Sequence, residues 1–413
     1  MQITYFDNNS ATQLDPRVLE AMVPFLKENY GNPQNMHSVG AVAKDALDIA
    51  RKSVADFIGA KVGEIYFVSC GSEANNFAIK GVADANAHKG KHIIVSAIEH
   101  FSVLYAARRL EKIGFEVTIL PVNQLGEVNS NDLKVALRKD TILVSIQTAN
   151  TEIGTIQNIK ELVLLTKANG SLFHTDAVCV AGLIPIDVND LGVDLLSFSA
   201  SQFHGPKGAA ALYVKKGTRV TPQIDGGVQE EGRRAGLENI PSIVGFGVAC
   251  ELAKNEMIKN SASIKELRDK LIEELPKKVE YVYLNGHTSN RMPNNVNFSI
   301  EFIEGEAMML LLDSKGFMVS SGSACASKAL KMSHVLTAIG ADPAVGQGSL
   351  LIALSKYNTM ADVDRFLLEF PAIVKRLREM SPLYDHFIKT GERQVAGPGT
   401  DYGHEHDHNH NEE

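Results

Sequence analysis

The chain has 413 residues, of which 44% are hydrophobic and 22% charged, and its formal net charge is -8. That length and composition favour two folded units with a sizeable core, and the acidic balance offers no footprint for nucleic acid or an anionic membrane. Four widely spaced cysteines, a start with no basic-then-apolar segment and no apolar run of membrane-spanning length predict a reduced, cytoplasmic protein.

Taken in chain order, helix-like stretches at Pro16–Asn29 and Val39–Ile58 lead into a strand-like run at Glu64–Ser69. Helix Ser72–Ala87, strand His92–Ser96, helix Phe101–Ile113 and strand Glu116–Leu120 follow. Further strands are expected at Thr141–Ile146, Ser171–His174, Asp194–Ser199 and Ala210–Val214, with a helix at Ile159–Ala168. Short apolar runs alternating with longer amphipathic ones predict an α/β fold with a mostly parallel central sheet flanked by helices. Composition shifts after Cys250, where residues 251–280 become rich in Lys and Glu. Alternating segments then continue to about Pro382, which reads as a second, smaller α/β domain. From Asp385 the apolar periodicity stops, and the polar stretch 385–413 is expected to be disordered.

Some residues suggest chemistry without further context. In Phe67-Val-Ser-Cys-Gly-Ser-Glu-Ala-Asn-Asn76, Gly71 permits a tight turn, Ser72 is placed to cap the helix, and first-turn N–H groups offer a phosphate site. Many strand–turn–helix junctions look the same, so the signal is weak alone. Asp176, in Phe173-His-Thr-Asp-Ala-Val-Cys179, follows a strand and reads at its plainest as a helix N-cap. His100 in Ala97-Ile-Glu-His-Phe-Ser-Val103 is a lone histidine, a type more often structural than catalytic. Cys325 is embedded in the small residues of Val319-Ser-Ser-Gly-Ser-Ala-Cys-Ala-Ser327, which describes either a mobile thiol loop or a buried helix start with an inert thiol. His404, His406, His408 and His410 alternate with acidic and amide residues, a pattern suited to nickel, zinc or copper, or to a solvated tail of no consequence.

The run Ser197-Phe-Ser-Ala-Ser-Gln-Phe-His-Gly-Pro-Lys-Gly208 resembles the cofactor-lysine segment of cysteine desulfurases of the nitrogen-fixation and iron–sulfur-cluster type. These pyridoxal-phosphate (PLP) enzymes have the class V aminotransferase fold and strip sulfur from cysteine. Tyr5-Phe-Asp-Asn-Asn9, Tyr30-Gly-Asn-Pro33, Asn150-Thr-Glu-Ile-Gly-Thr-Ile-Gln157 and Gly232-Arg-Arg-Ala-Gly-Leu-Glu-Asn239 extend the resemblance over roughly Tyr5 to Tyr384. It implies PLP fold type I, with a large domain over 14–255 and a small domain formed by 1–13 and 256–384 that carries the Cys325 loop. It also implies a homodimer with shared active sites; if the chain does not itself extract sulfur, an iron–sulfur scaffold or an active desulfurase paralogue is its expected partner. Cofactor contacts are implied at Gly71, Ser72, Asn150, Asp176, Cys179 and Ser199, a stacking role at His100, a substrate contact at Asn9 and a sulfur-accepting role at Cys325.

The departures from that pattern cluster at the chemistry. Gln202 stands where the family has the lysine that forms the imine with PLP, and Ser201 stands for the adjacent histidine. An amide nitrogen, its lone pair delocalised, cannot take the lysine's part. Cys179 replaces a ring-binding glutamine, Leu237 a threonine that reaches the partner's phosphate, Ala11 a threonine near the substrate, and Thr151 an asparagine. Leu351, in Gly348-Ser-Leu-Leu-Ile-Ala-Leu354, occupies the place of the arginine that binds the substrate carboxylate. Lys207 is shared with the family and has a different job from the imine lysine. The expectation is a desulfurase-like protein of sulfur mobilisation and iron–sulfur cluster assembly without normal PLP-imine chemistry: a sulfur-relay or partner pseudoenzyme. The alternatives are a PLP-dependent cysteine desulfurase with weak or altered activity, and a metal-handling protein acting through the histidine tail.

Overall fold

The computed structural model describes residues 2–321 and 332–393. Cys325 and the four tail histidines lie outside the described residues.

Strand β1 (Thr4–Tyr5) and helices α1 (Pro16–Lys27) and α2 (Ser38–Phe57) precede the main sheet. β2 (Ile65–Val68), α3 (Gly71–Asn86), β3 (His92–Ser96), α4 (Phe101–Glu111), β4 (Glu116–Leu120), α5 (Ser130–Ala136) and β5 (Thr141–Ser145) then alternate. They are followed by α6 (Ile159–Ala168), β6 (Leu172–Asp176), α7 (Val188–Leu191), β7 (Leu195–Ser199) and β8 (Ala210–Val214). The seven strands run in the order β2-β8-β7-β6-β5-β3-β4. Only β8 is antiparallel to its neighbours, β2 and β7.

The sheet is covered on both faces, which is why its strands read as unbroken apolar runs instead of alternating ones. Phe67, Ile94, Val144, Phe173 and Leu196 join one core, to which α1, α2 and the first part of the next helix add their apolar faces. Their chain neighbours Tyr66, Ile93, Leu143 and Leu195 join the opposite core beneath α3 and α4. This is the two-residue period of a strand seen from both sides.

Helix α8 (Ile240–Lys278) connects two cores. Ile240, Ile243, Phe246 and Cys250 pack in the first, and Ile264, Leu267, Leu271 and Leu275 in a second. The second core lies on an antiparallel sheet of β9 (Val282–Leu284), β10 (Asn295–Ile300) and β12 (Ser349–Ala353). α9 (Gly305–Ser314), β11 (Phe317–Met318), α10 (His334–Ala338), α11 (Pro343–Gly346) and α12 (Met360–Glu379) complete this half. β1 pairs in parallel with β11, and Phe6 packs into the second core.

The expectation that order ends at Asp385 is corrected. α13 (Pro382–Thr390) continues through it, with Ser381 accepting from the Tyr384 N–H as cap and Gly391 closing the helix at φ 72°. Phe387 anchors it by stacking on Phe302 at 4.9 Å. So short an amphipathic helix, with no buried residue, leaves too few apolar positions for periodicity to register.

Candidate functional site

The implied cofactor residues converge at the carboxyl ends of the central strands, the customary ligand edge of an α/β sheet. Asp176 ends β6, Ser199 ends β7, and α3 begins just beyond β2. A Cβ added to Gly71 would sit 2.6 Å from Val178 Cγ2. Glycine therefore lets the start of α3 close against the loop after Asp176. Ser72 does not cap this helix as expected. Cys70 holds the N-cap position with no side-chain bond, and Glu73 reaches back to accept from the Ser69 N–H at 2.8 Å. Glu73 is itself held by Arg234 Nε at 2.9 Å. A carboxylate four residues along satisfies the turn, and Ser72 stays exposed.

Asp176 is 7% exposed. Its Oδ1 accepts from the Val178 N–H at 2.9 Å, so the plain N-cap-like contact is present. Its Oδ2 accepts from Asn75 Nδ2 at 2.7 Å. Burial pushes its carboxyl above the ordinary range, and the amide donors oppose that. The same Asn75 nitrogen donates to Ser102 Oγ at 2.9 Å. Ser102 Oγ is 2.7 Å from His100 Nδ1, which also accepts the Ser102 backbone N–H at 3.1 Å.

Asn150 holds the next loop: its Oδ1 accepts from the Glu152 and Ile153 N–H groups at 2.9 Å, and its Nδ2 donates to Ile98 O at 2.9 Å. Cys179 donates Sγ to Ala149 O at 3.1 Å, and burial raises its thiol, so it offers the ring neither a thiolate nor a free donor. Ser199 Oγ is 3.1 Å from Ser201 Oγ.

Gln202 ends a 3₁₀ turn, Ala200–Gln202, whose backbone is fixed by Phe203 N–H and Gly205 N–H donating to Ala200 O. It lines a cavity of about 40 Å³ with Thr12, Phe203, His204 and Lys356. Asp176 and His100 are not among its lining residues.

The residues that the resemblance implies on the substrate side come from the start of the chain, Asn9, and from the small sheet, Leu351. Asn9 Nδ2 donates to Thr151 O, and Asn295 Nδ2 donates to Thr151 O and Glu152 O, both at 3.0 Å. Asn295 and Asn297 share one face of β10, and Leu351 lies directly opposite Asn297 on β12. Leu351 thus presents an apolar, 6% exposed side chain on the face that meets the 150 loop. Asn297 is fully buried, and its Nδ2 has no hydrogen-bond partner among the described residues.

The site fits the ring and phosphate ends of PLP. A buried carboxylate contacted by neutral donors suits a cationic ring nitrogen, and the α3 start with Gly71 and Ser72 suits a phosphate. It does not fit a covalent link at residue 202. Four groups carry no mark in the sequence: Asn75, Glu99 and Glu152, which are buried, and Ser102, which is half-buried. Asn75 and Ser102 stand inside motifs that carry the resemblance, but nothing in their neighbours marks them.

Glu99 and Glu152 lie under the site. Burial pushes Glu99 up to about 8 and Glu152 to about 7, against hydrogen bonds from Ser96 and the Gln147 N–H in one case and from Ser333 in the other. Glu99 Oε2 and Glu152 Oε1 have no partner among the described residues. An acid whose folded value is raised holds a proton that the unfolded chain has lost, so stability falls as pH rises through the folded value. Between about pH 6.5 and 8, above the titration of unfolded histidine, each group contributes a slope of up to about 1.4 kcal/mol per pH unit. Chemical denaturation across that window is expected to show declining stability, with the decline flattened in a Glu99→Gln/Glu152→Gln variant. An equal slope in the variant refutes the assignment.

The fold and this cradle define a class V aminotransferase scaffold, and the model of that family matches residues 4–366. "Cysteine desulfurase IscS" of Methanosarcina thermophila is 51% identical over 379 residues, covering 92% of this chain and 94% of that one. The protein of the same name from Dictyoglomus turgidum is 51% identical over 378 residues, covering 92% and 96%. Among solved structures, a "NifS-like protein" superposes with TM-score 0.86 at 38% identity, covering 91% of this chain and all of that one. Another, described as "SspA in complex with cysteine", gives TM-score 0.76 at 35% identity, covering 86% and 99%. The chain belongs to the cysteine desulfurase family, within the class V aminotransferases. Among the described residues no helix is long and apolar enough to cross a membrane.

Proposed function

We propose that this chain acts in sulfur mobilisation as a PLP-dependent desulfurase of weak or altered activity, holding its cofactor without a covalent bond. The observation that carries the reading is the buried carboxylate of Asp176, aimed by Asn75 and the Val178 N–H, beside His100 and the open start of α3. Bound there, PLP supplies an electron sink for charge released on the substrate. Asp176 would hold the ring nitrogen, Gly71 and Ser72 the phosphate, and His100 the ring face. Asn150 would spend one amide N–H on Ile98, fixing the 150 loop, and keep the other for the cofactor. Close kinship over nearly the whole chain with proteins named as desulfurases supports this reading over a pure relay.

The relay reading has its own support in Gln202 and Leu351, which leave the site without an amine at 202 and without a cation on the small-sheet face. A homodimer, with an iron–sulfur scaffold as partner, belongs to either version. The exposed apolar residues Met36, Val228 and Leu237 support a second copy.

Purified protein mixed with PLP, passed through a desalting column and then given cysteine separates the two. Retained PLP with measurable sulfide release, well below that of a lysine-bearing desulfurase, is expected. No retained PLP and no sulfide would overturn the proposal and leave the relay.

A further inference from the structure

One amide connects the parts of this cradle that come from different elements. Asn75 projects from α3, is 1% exposed, and spends both N–H bonds on Asp176 Oδ2 and Ser102 Oγ. Its Oδ1 has no hydrogen-bond partner among the described residues. A buried acceptor left unsatisfied is costly, so the position is one that uses the donors and forgoes the acceptor. The direction of each bond follows. A carboxylate only accepts, so Asn75 must turn its nitrogen to Asp176. A backbone N–H only donates, so His100 Nδ1 is an acceptor and its ring proton sits on Nε2. Ser102 Oγ then accepts from Asn75 and donates to His100 Nδ1.

We propose that Asn75 is a positioning residue that aims Asp176 and, through Ser102, His100 as one unit. His100, an exposed residue, is thereby left to donate through Nε2. The effect on cofactor binding rests on the reading of this site as a PLP cradle; the effect on the protein alone does not.

Asn75→Asp keeps the shape of the side chain but replaces two donors with a charge beside Asp176. Asn75→Ala removes both shape and donors. If Asn75 serves only packing, the Asp variant behaves as the natural chain and the Ala variant is the worse. If it serves as the donor, the Asp variant is at least as impaired as the Ala variant. The expected loss of PLP affinity is roughly tenfold or more for each. Ser102→Ala is expected to weaken binding less, and the Asn75→Ala/Ser102→Ala double variant to bind no worse than Asn75→Ala alone. Additive losses would sever His100 from the unit and overturn that part.

The second readout uses the chain without PLP. Two neighbouring buried carboxyls must share a proton, so Asn75→Asp is expected to lose stability with rising pH more steeply than the natural chain. Asn75→Ala gains no such slope. An unchanged pH dependence in Asn75→Asp, whatever happens to PLP binding, overturns the proposal. Failure of the natural chain to retain PLP, with the steeper slope present, instead counts against the cofactor reading alone.

Discussion

Gln202→Lys is expected to turn a chain that releases all its PLP on denaturation into one that keeps it covalently after borohydride reduction. The backbone that would present the lysine is already built. Residue 202 closes a 3₁₀ turn held by two bonds to Ala200 O, and Ser201 O is pinned by the Thr12 N–H and Thr12 Oγ, each at 3.0 Å. None of those contacts involves the Gln202 side chain, so the exchange leaves them intact. What changes is the nitrogen: an amide cannot attack an aldehyde, and an amine can. Residue 202 is half-buried, and the Lys356 that shares its cavity is paired with Asp15 and Glu256 on the same wall. Partial burial disfavours the protonated form. A positioned lysine also restores proton transfer, worth about 10²–10⁴-fold in rate, so sulfide release is expected to rise by a factor in that range. The test is mass spectrometry of the reduced, unfolded variant: a pyridoxyl adduct at residue 202 is expected. If the variant folds and retains PLP but forms no adduct there, residue 202 does not face the cofactor, and the assignment of the site fails with it.

Much of this architecture was legible from residue patterns, and the reasons are local. β3, β4 and β8 match the expected spans because each is a short apolar or β-branched run bounded by turn residues. α6 matches as well. Ends moved by a residue or two where the last strand residue is polar. β6 runs on to Asp176 because its main chain stays in the ladder beside Ser197. α13 was lost because its anchors are the rings of Tyr281 and Phe302, distant in sequence.

The site divides in the same way. Gly71, Asp176, His100 and Gln202 sit in runs whose composition carries a resemblance. The bonding that makes a cradle of them does not. Asn75 and Ser102 are 27 positions apart and meet only because α3 and α4 cover the same face of the sheet. Glu99 reads as a surface residue by type, since glutamate is rarely fully buried. Its burial comes from the β5 loop folding over it, where the Gln147 N–H donates to it at 3.0 Å. Ser72 departs from its expected role for a simpler reason: the turn is satisfied by Glu73, and a sequence shows which residues can cap but not which one does.

Leu351→Arg is expected to create a stability that depends on a carboxylate ligand. Leu351 lies on β12 opposite Asn297, its backbone fixed by mutual bonds with Ser320 at 3.1 and 2.8 Å. Its side chain is 6% exposed. An arginine placed there without a partner carries an uncompensated charge into the protein, at a cost of about 3–5 kcal/mol. The nearby groups do little to relieve it: Asn297, opposite in register, has an orphaned donor, and its Oδ1 already accepts from Asn285. The variant without ligand should therefore melt well below the natural chain. Cysteine or alanine would bring a carboxylate to that charge, and a charge-assisted pair of this kind contributes about 1.5–3 kcal/mol, or roughly 10–100-fold in affinity. The natural chain lacks this response, since leucine cannot satisfy a desolvated carboxylate. Thermal shifts of both chains, with PLP present and the amino acid varied, distinguish the outcomes. A large shift confined to Leu351→Arg, absent with the corresponding amine that lacks a carboxylate, is expected. If the natural chain shifts as much as the variant, then another group binds the carboxylate, and Leu351 no longer argues for a weakened or redirected reaction. If Leu351→Arg is destabilised and no carboxylate rescues it, the position points away from any substrate. In either case altered chemistry would rest on Gln202 and the other departures at the site, without Leu351.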